Sequence, residues 1–249
     1  MGGKDHEINI EEDPYASLVS SITKNELEKV RPISSTTCIY KVPDRLRRAN
    51  EAAYTPNVVS IGPIHHDKSL QIIKDHKRRF LKNFLERTDN DLIHYAKIVK
   101  DSEQRLRGCY QETFELSSNE FCHIILVDAV FLVELFFCYY PEQTEVRVQP
   151  PDGSRWSSYA RQVLDDIGPE LLLLENQLPF FILEEIWKDA TSKSIVRFFQ
   201  RYYSLSLNLE ERKGANLDEM PMHFVDLVRK LYIPHKPKSG PKRGNSSSS

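Results

Sequence analysis

Three groups of polar residues in this sequence have side chains that could do chemistry. In the first, His65, His66 and Asp67 are adjacent, and imidazole and carboxylate groups are ligands of zinc and non-haem iron. Adjacent residues rarely point at one ion, however, and no His-x-x-x-His spacing accompanies them. We therefore expect a loop in which a histidine bonds its own backbone, with a metal-binding or catalytic site at this pair as the alternative.

The second group, Asp128 and Glu134, lies in the apolar run from Phe121 to Tyr140. Their spacing puts them about 120° apart around a helix, too far to act as one acid–base pair. An unpaired buried carboxylate is costly, so we expect each to accept bonds from arginine, tyrosine or backbone donors. The arginines that the sequence offers as partners are Arg45, Arg47, Arg48 and Arg105.

The third group, Glu175, Asn176 and Gln177, interrupts an apolar stretch just before Pro179. A proline break leaves backbone carbonyls without partners, so we expect a structural corner in which these side chains supply hydrogen bonds. The alternative is a polar patch presented to a partner. The sequence has no nucleophile elbow, phosphate-binding loop, dinucleotide motif or His-Glu-x-x-His motif, and we predict no enzyme activity and no cofactor.

Composition is typical of a globular protein, with 40% hydrophobic and 28% charged residues among 249. A net charge of -2 argues against nucleic acid as a partner. One predicted helix is nonetheless rich in cations, and we expect them to form a solvated face. These cations are Lys74, Lys77, Arg78, Arg79, Lys82 and Arg87.

The cysteines Cys38, Cys109, Cys122 and Cys138 have no Cys-x-x-Cys spacing, and two of them lie in the apolar run. We expect reduced core thiols in a cytoplasmic protein. The first residues contain no apolar core of a secretory signal, which agrees with that location.

Helical periodicity predicts a mostly α fold, an irregular multi-helix globular domain with an ordered Pro- and Gly-containing loop block near the N-terminus and little or no β structure. Helices are predicted over 14–30, 43–49, 69–87, 91–113, 117–140, 156–165, 169–174, 179–190, 194–204 and 218–231. The first should bury Leu18, Ile22, Leu27 and Val30. Residues 1–12 are predicted to be an acidic flexible N-terminus, 13–233 the helical domain, and 234–249 a basic, Ser-rich disordered tail.

The helix predicted over 117–140 is the most apolar part of the chain, since 17 of the 20 residues from Phe121 to Tyr140 are apolar. Its length would allow a membrane span, but two acidic residues near its middle oppose insertion. We expect a helix buried on all sides in a helical core, with a membrane span as the alternative.

The segment from Cys38 to His66 combines aromatic, proline, glycine and histidine residues around one short basic helix. Together with the stretch Leu171 to Leu183, it resembles the plant proteins grouped as domain of unknown function 247. The matching positions that we take as candidate interaction or structural residues are Tyr40, Pro43, Tyr54, Pro56, Gly62, Pro63, His65, His66, Asp128, Glu134, Glu175, Asn176, Gln177 and Pro179.

The resemblance covers residues 38 to 230 and implies a plant source, a helical fold and no established catalytic residue. Family members usually continue into a hydrophobic segment that anchors them in a membrane, so membrane association is implied by family analogy alone, and this chain resembles a C-terminally truncated member. Some grass relatives are proposed as male determinants of self-incompatibility. We expect a non-enzymatic module that recognises other plant proteins. Substitution of Tyr54 and His65 by Ala in this chain should weaken its capture of those proteins.

Overall fold

The computed structural model describes residues 15–27, 35–68, 70–139, 153–191, 194–207 and 219–232. The chain divides into two compact units, Met1–Ser35 and Thr36–Ser249. The predicted acidic N-terminus and the predicted basic tail lie outside the described residues.

The first unit contains α1 (Ala16–Ile22), and the expected burial of its apolar stripe is wrong. Leu18 is 58% exposed and Ile22 45% exposed. An amphipathic stripe is buried only where another apolar surface covers it, and among the described residues of this unit no second α-helix provides one. The side chains of Leu27 and Val30 lie outside the described residues.

The second unit is built from helices, and its described residues contain no strand, which confirms the predicted mostly α class. The helices are α2 (Asp44–Arg47), α3 (Gln71–Arg87), α4 (Leu92–Asp101), α5 (Glu103–Gly108), α6 (Ser118–Tyr139), α7 (Gly153–Ile167), α8 (Phe180–Thr191), α9 (Val196–Ser206) and α10 (Phe224–Tyr232). Single 3-10 turns cover Glu51–Ala53 and Glu170–Leu172, and a π-helical turn, Thr23–Leu27, follows α1 in the first unit. An isolated parallel bridge joins Ile39 to Tyr110.

Two helix starts follow from capping side chains that the sequence makes evident. Asp91 accepts a bond of 2.9 Å from the backbone N–H of His94 at the start of α4. Ser117 and Glu120 form the predicted capping box before α6, since each side chain accepts from the other's backbone N–H, at 3.3 and 2.8 Å.

The single helix predicted over 91–113 is wrong. The chain forms α4 and then α5, which ends at Gly108, and Tyr110 makes the bridge to Ile39. The apolar periodicity continues through both helices, so it did not reveal the break at Ser102.

Helix α6 lies at the centre of the second unit, in contact with α3, α4, α7 and α8. Its apolar residues cover its whole circumference, so burial on all sides removes the largest area from water. It is also the one helix among the described residues that is long and apolar enough to cross a membrane, with a mean hydropathy of 2.3 in its most apolar window. Of this most apolar stretch of α6, 78% is buried inside the protein, as in the core helix of a globular domain.

Aromatic side chains join the C-terminal half of α6 to the last three helices. Phe136 of α6 contacts Phe199 of α9 with ring centroids 4.2 Å apart. Phe199 in turn meets Phe224 of α10 at 4.7 Å and Phe180 of α8 at 5.4 Å, all edge to face. Such contacts favour these ring positions beyond the burial of area alone, and they hold α8, α9 and α10 as one packed group.

Candidate functional site

Besides Lys41, whose N–H donates to Gln111 Oε1 at 3.1 Å, six backbone N–H groups of the loop block, residues 38–66, donate to side chains and not to backbone carbonyls. The pairs are Val42 to Glu175, Asn57, Val58 and Val59 to Glu170, Ile61 to Asn176, and Gly62 to Asp128, at 2.6 to 3.0 Å. Because the block has no strand or long helix, its buried amides need acceptors from elsewhere in the chain. We call the following set the polar network: Arg47, His65, Lys77, Asp128, Glu170, Glu175, Asn176 and Gln177.

Glu175 joins two turns of the loop block. Its Oε1 accepts from the Val42 N–H at 2.6 Å, and its Oε2 accepts from Arg47 and from Nε2 of His65, the latter at 2.8 Å. Burial alone would raise the pKa of Glu175, but the Arg47 guanidinium, the Val42 N–H and His65 together lower it below its usual value. The carboxylate is therefore ionised and fully satisfied.

His65 is buried at 6% exposure, and that burial lowers its pKa. A carboxylate only accepts, so neutral His65 carries its proton on Nε2 and donates it to Glu175. His66 is exposed, and its Nδ1 lies 3.0 Å from the Pro63 carbonyl, the bond to the loop's own backbone that the sequence predicts. Of the adjacent pair, one histidine is committed to a carboxylate and the other to a carbonyl.

A metal site at the histidine pair receives no support from the surrounding geometry. His66 lines a small cleft of about 380 Å³ with Glu120 and His123. Among the described residues, no three His, Cys, Asp or Glu side chains lie close enough together to hold one metal ion.

Asn176 and Gln177 supply the hydrogen bonds that the proline break was predicted to need. Asn176 Nδ2 donates to the carbonyls of Val59 and Glu170, each at 3.0 Å. Gln177 Nε2 donates to the carbonyls of Leu171 and Leu173, at 2.7 and 2.8 Å. Three of these bonds lie within residues 170–177, which we call the corner. The bond to Val59 joins the corner to the loop block.

Gly62 lies at the closest approach between the loop block and the corner. Its φ is +78°, a left-handed conformation that favours glycine. A Cβ at this position would lie 2.6 Å from the Gln177 carbonyl oxygen and 3.1 Å from the Tyr110 hydroxyl. That hydroxyl donates to the same carbonyl at 3.0 Å, so any side chain at residue 62 would force the two segments apart.

Asp128 lies beneath this turn and is bound by a backbone N–H, which is one of the expected kinds of donor, and by a lysine, which is not. Its Oδ2 accepts from the Gly62 N–H at 2.8 Å, and its Oδ1 accepts from Lys77, which also donates to the Ser60 carbonyl at 2.6 Å. Burial raises the pKa of Asp128, and the Lys77 ammonium and the Gly62 N–H offset only part of that rise. The expected arginine partners are therefore wrong for Asp128.

Glu134, two helical turns further along α6, bonds only side chains of α3 and its own helix. Its Oε2 accepts two bonds from Arg87, at 2.7 and 3.0 Å, and its Oε1 accepts from Asn83. The Arg87 guanidinium also stacks 3.6 Å from the ring centroid of Phe137. Arg87 and Lys77 thus belong to the core, which corrects the prediction of an entirely solvated basic face on α3.

The remaining predicted site residues lie in the loop block or directly before α8. Tyr40 is exposed, and its hydroxyl donates to the Thr37 carbonyl at 3.0 Å. The others are half-buried Tyr54, buried Pro56 and Pro63, Pro43 directly before α2, and Pro179 directly before α8. Arg45 and Arg48 are exposed, and Arg105 stacks on Phe181.

Sequence reasoning missed two members of the polar network. Lys77 lies on the apolar stripe of α3 between Ile73 and Phe80, and this spacing was a usable signal that its side chain points inward. Glu170 accepts three consecutive loop amides through tertiary contacts alone, and nothing in its local sequence distinguishes it from an exposed glutamate.

A separate surface feature is an apolar groove of about 680 Å³ between α4 and the first half of α6. Its apolar lining comes from Leu81, Leu92, Ile93, Ala96, Leu126 and Val127, and Lys97, Lys100 and His123 also line it. Ile93 is 76% exposed and Leu92 45% exposed, although both are large aliphatic residues. Exposed apolar clefts with charged residues around them are typical of binding surfaces.

Comparisons with known proteins place the chain among its relatives. The chain is similar to two Arabidopsis thaliana proteins. "UPF0481 protein At3g47200" is 29% identical over 213 residues, which cover 81% of this chain and 42% of that protein. "Putative UPF0481 protein At3g02645" is 25% identical over 171 residues, covering 68% of this chain and 29% of that protein.

The chain thus spans less than half the length of these two curated relatives. No solved structure matches it significantly. The sequence pattern of the family described as plant protein of unknown function, DUF247, matches residues 39–249. The resemblance of the loop block and the corner is confirmed, and the chain belongs to this DUF247 family of plant proteins.

Proposed function

We propose that this chain is a non-enzymatic recognition module and that the groove between α4 and α6 binds an amphipathic helix of a partner protein. The observation that carries the proposal is the exposure of Leu92 and Ile93 on a groove whose lining also includes the aliphatic residues Leu81, Ala96, Leu126 and Val127. A groove between two helices accepts the apolar face of a third helix, with anchors at helical spacing.

The side chains of the polar network already have hydrogen-bond partners within the chain, which supports a binding role over a catalytic one. His65, Asp128 and Glu175 are the residues with the side-chain chemistry for acid–base work. Each is buried and bonded to groups that hold the loop block in place. A general base needs a free lone pair directed at a substrate, whereas the carboxylates of Asp128 and Glu175 already accept from backbone N–H groups and cations.

The charge of the groove favours a partner helix with acidic residues beside its apolar face. Lys97 and Lys100 line the groove on the α4 side, and His123 lines it on the α6 side. Lys100 already bonds Glu103 at 3.1 Å, so Lys97 is the cation best placed to attract a carboxylate. Complementary charge at a rim mainly raises association rates and selects the partner.

His65 is no longer the position at which contact with a partner is expected, because it is buried against Glu175. The predicted loss of capture in the His65 variant would then arise from loosening of the loop block. A role in pollen recognition, which the family resemblance implies for some grass relatives, is compatible with a recognition module and is proposed on that analogy.

Selection of helical peptides tests the proposal directly. A displayed library of amphipathic helices is selected on the purified chain, and the best binder is titrated against the wild type, Ile93→Asp and Ile72→Asp. Asp is tolerated in the first turn of α4, and Ile72 is 61% exposed on α3 and outside the groove, which makes it the matched control.

We expect Ile93→Asp to weaken binding by about tenfold or more, because a charge replaces an apolar anchor, and Ile72→Asp to leave it within about twofold. The proposal is wrong if both variants bind equally well with their circular dichroism unchanged. Stoichiometric metal in the purified chain that disappears in His65→Ala, His66→Ala would support the metal-binding alternative instead.

A further inference from the structure

Cys38, the first residue of the loop block, lies next to Cys109, which directly follows α5. The N–H groups of Cys38 and Ile39 both donate to the Cys109 carbonyl, each at 2.9 Å, and the Gln111 N–H donates to the Ile39 carbonyl at 2.9 Å. The two cysteines therefore occupy the positions directly before the parallel bridge between Ile39 and Tyr110.

This register brings the two side chains together. Two residues joined by a backbone hydrogen bond, as the Cys38 N–H and the Cys109 carbonyl are, have Cα atoms roughly 4.8 to 5.5 Å apart. That separation is within the Cα range of about 4.4 to 6.8 Å that a disulfide spans. The two thiols lie close enough for each to shift the pKa of the other, while the Cys138 thiol bonds Glu134 on α6.

The surroundings make the two thiols unequal. The adjacent Cys38 thiol and the positive charge of Arg105 lower the pKa of Cys109 despite its burial. The adjacent Cys109 thiol and burial raise the pKa of Cys38. Cys109 is thus the nucleophile of the pair, and Cys38 is placed to react second.

We propose that Cys38 and Cys109 are a modification site at which a peroxide forms a reversible disulfide. The Cys109 thiolate attacks a peroxide oxygen, the O–O bond breaks, and a sulfenic acid and hydroxide form. The Cys38 sulfur then attacks the Cys109 sulfur, the S–O bond breaks, and water leaves with the Cys38 proton. Two thiols lose two electrons and two protons, hydrogen peroxide is reduced to two waters, and a dithiol such as dithiothreitol reverses the reaction.

The burial of the two thiols limits which oxidants can reach them. Cys38 is 9% exposed and Cys109 is 5% exposed. A small peroxide can reach side chains this buried, but the active site of a protein oxidant cannot. The product would join the first residues of the loop block covalently to the turn after α5. The reduced thiols expected from the sequence agree with the free cysteines of the structure, and the proposal makes two of the four convertible.

The test treats the full chain, first reduced, with a small excess of hydrogen peroxide. The wild type should lose two of its four free thiols and the mass of two hydrogen atoms, with one crosslinked peptide pair containing Cys38 and Cys109. The midpoint of thermal unfolding should rise by roughly 5 °C or more, and dithiothreitol should reverse it.

Cys38→Ser removes the second thiol, so Cys109 should accumulate as a sulfenic acid, seen as the added mass of one oxygen atom and trapped by dimedone once the chain is unfolded in urea. Cys122→Ser is the matched control and should form the crosslink as the wild type does. A wild type that keeps four thiols under peroxide, or a crosslink through Cys122 or Cys138, would overturn the proposal. So would Cys38→Ser with no dimedone adduct at Cys109.

Discussion

Glu175 binds two turns of the loop block with a single carboxylate. Its three donors are a backbone N–H, the Arg47 guanidinium and the His65 imidazole, and its side chain is fully buried. Hydrogen bonds to a charged group are stronger than neutral ones, and leaving that group unsatisfied is costly. The residue therefore stabilises the position of the block.

At the scale of a single residue, stability should depend on pH through His65. Burial holds the pKa of His65 below its unfolded value of about 6.5, so the unfolded chain binds more protons in that range. The contribution is fully present above pH 6.5 and is lost as pH falls toward the folded pKa. His76 and His223 have pKa values lowered by burial as well, so they change stability in the same direction.

The variant His65→Gln keeps a donor for Glu175 and removes the titration. Between pH 7 and pH 5.5, the wild type should lose free energy of unfolding in urea, and His65→Gln should lose less by at most about 1.4 kcal/mol per pH unit. Identical slopes for the two proteins would show that His65 is not held neutral by burial.

At the scale of elements, α3 and α6 are joined by two buried ion pairs. Lys77 bonds Asp128, and Arg87 bonds Glu134, with side chains no more than 10% exposed in either pair. A buried pair is weak support for stability as such, but removing one partner leaves a charge without solvent or counter-ion. The pairs thus specify how the two helices are aligned, in addition to the apolar contacts between them.

Lys77→Met should lower the free energy of unfolding by about 3 to 5 kcal/mol, because Asp128 would remain buried without its cation. Lys82→Met on the same helix is the matched control, since Lys82 pairs with Glu86 at 79% and 56% side-chain exposure. We expect the control to change stability by less than about 1 kcal/mol. Equal effects of the two substitutions in urea denaturation would contradict a buried role for Lys77.

The same helices explain how far the sequence could predict the structure. Helix α6 was predictable because its apolar run and its capping box are local signals. The corner was predictable in outline because Pro179 limits the backbone there. The donors to Asp128 were not, because they come from α3 and the loop block, and only folding brings them together. The groove was missed because it is formed by the spacing of two helices, which no residue pattern encodes.

At the scale of the whole molecule, the proposed binding surface and the support of the loop block belong to different residues. The polar network lies between the loop block, the corner, α3 and α6, whereas the groove is lined by residues of α4, α6 and α3 that belong to no part of the network. The family motifs thus account for the fold of the loop block, and the groove is the surface proposed for recognition. Ile93→Asp should therefore alter binding without altering stability, and Lys77→Met should do the reverse.

Amide hydrogen exchange at Val42, Ile61 and Gly62 tests most directly whether the motif residues hold the loop block. These N–H groups donate to Glu175, Asn176 and Asp128, so they should exchange as slowly as amides of α8 in the wild type. In Asn176→Ala, Ile61 should exchange at least about tenfold faster while α8 is unchanged. Exchange of all three amides at the rate of an exposed loop in the wild type would contradict the account.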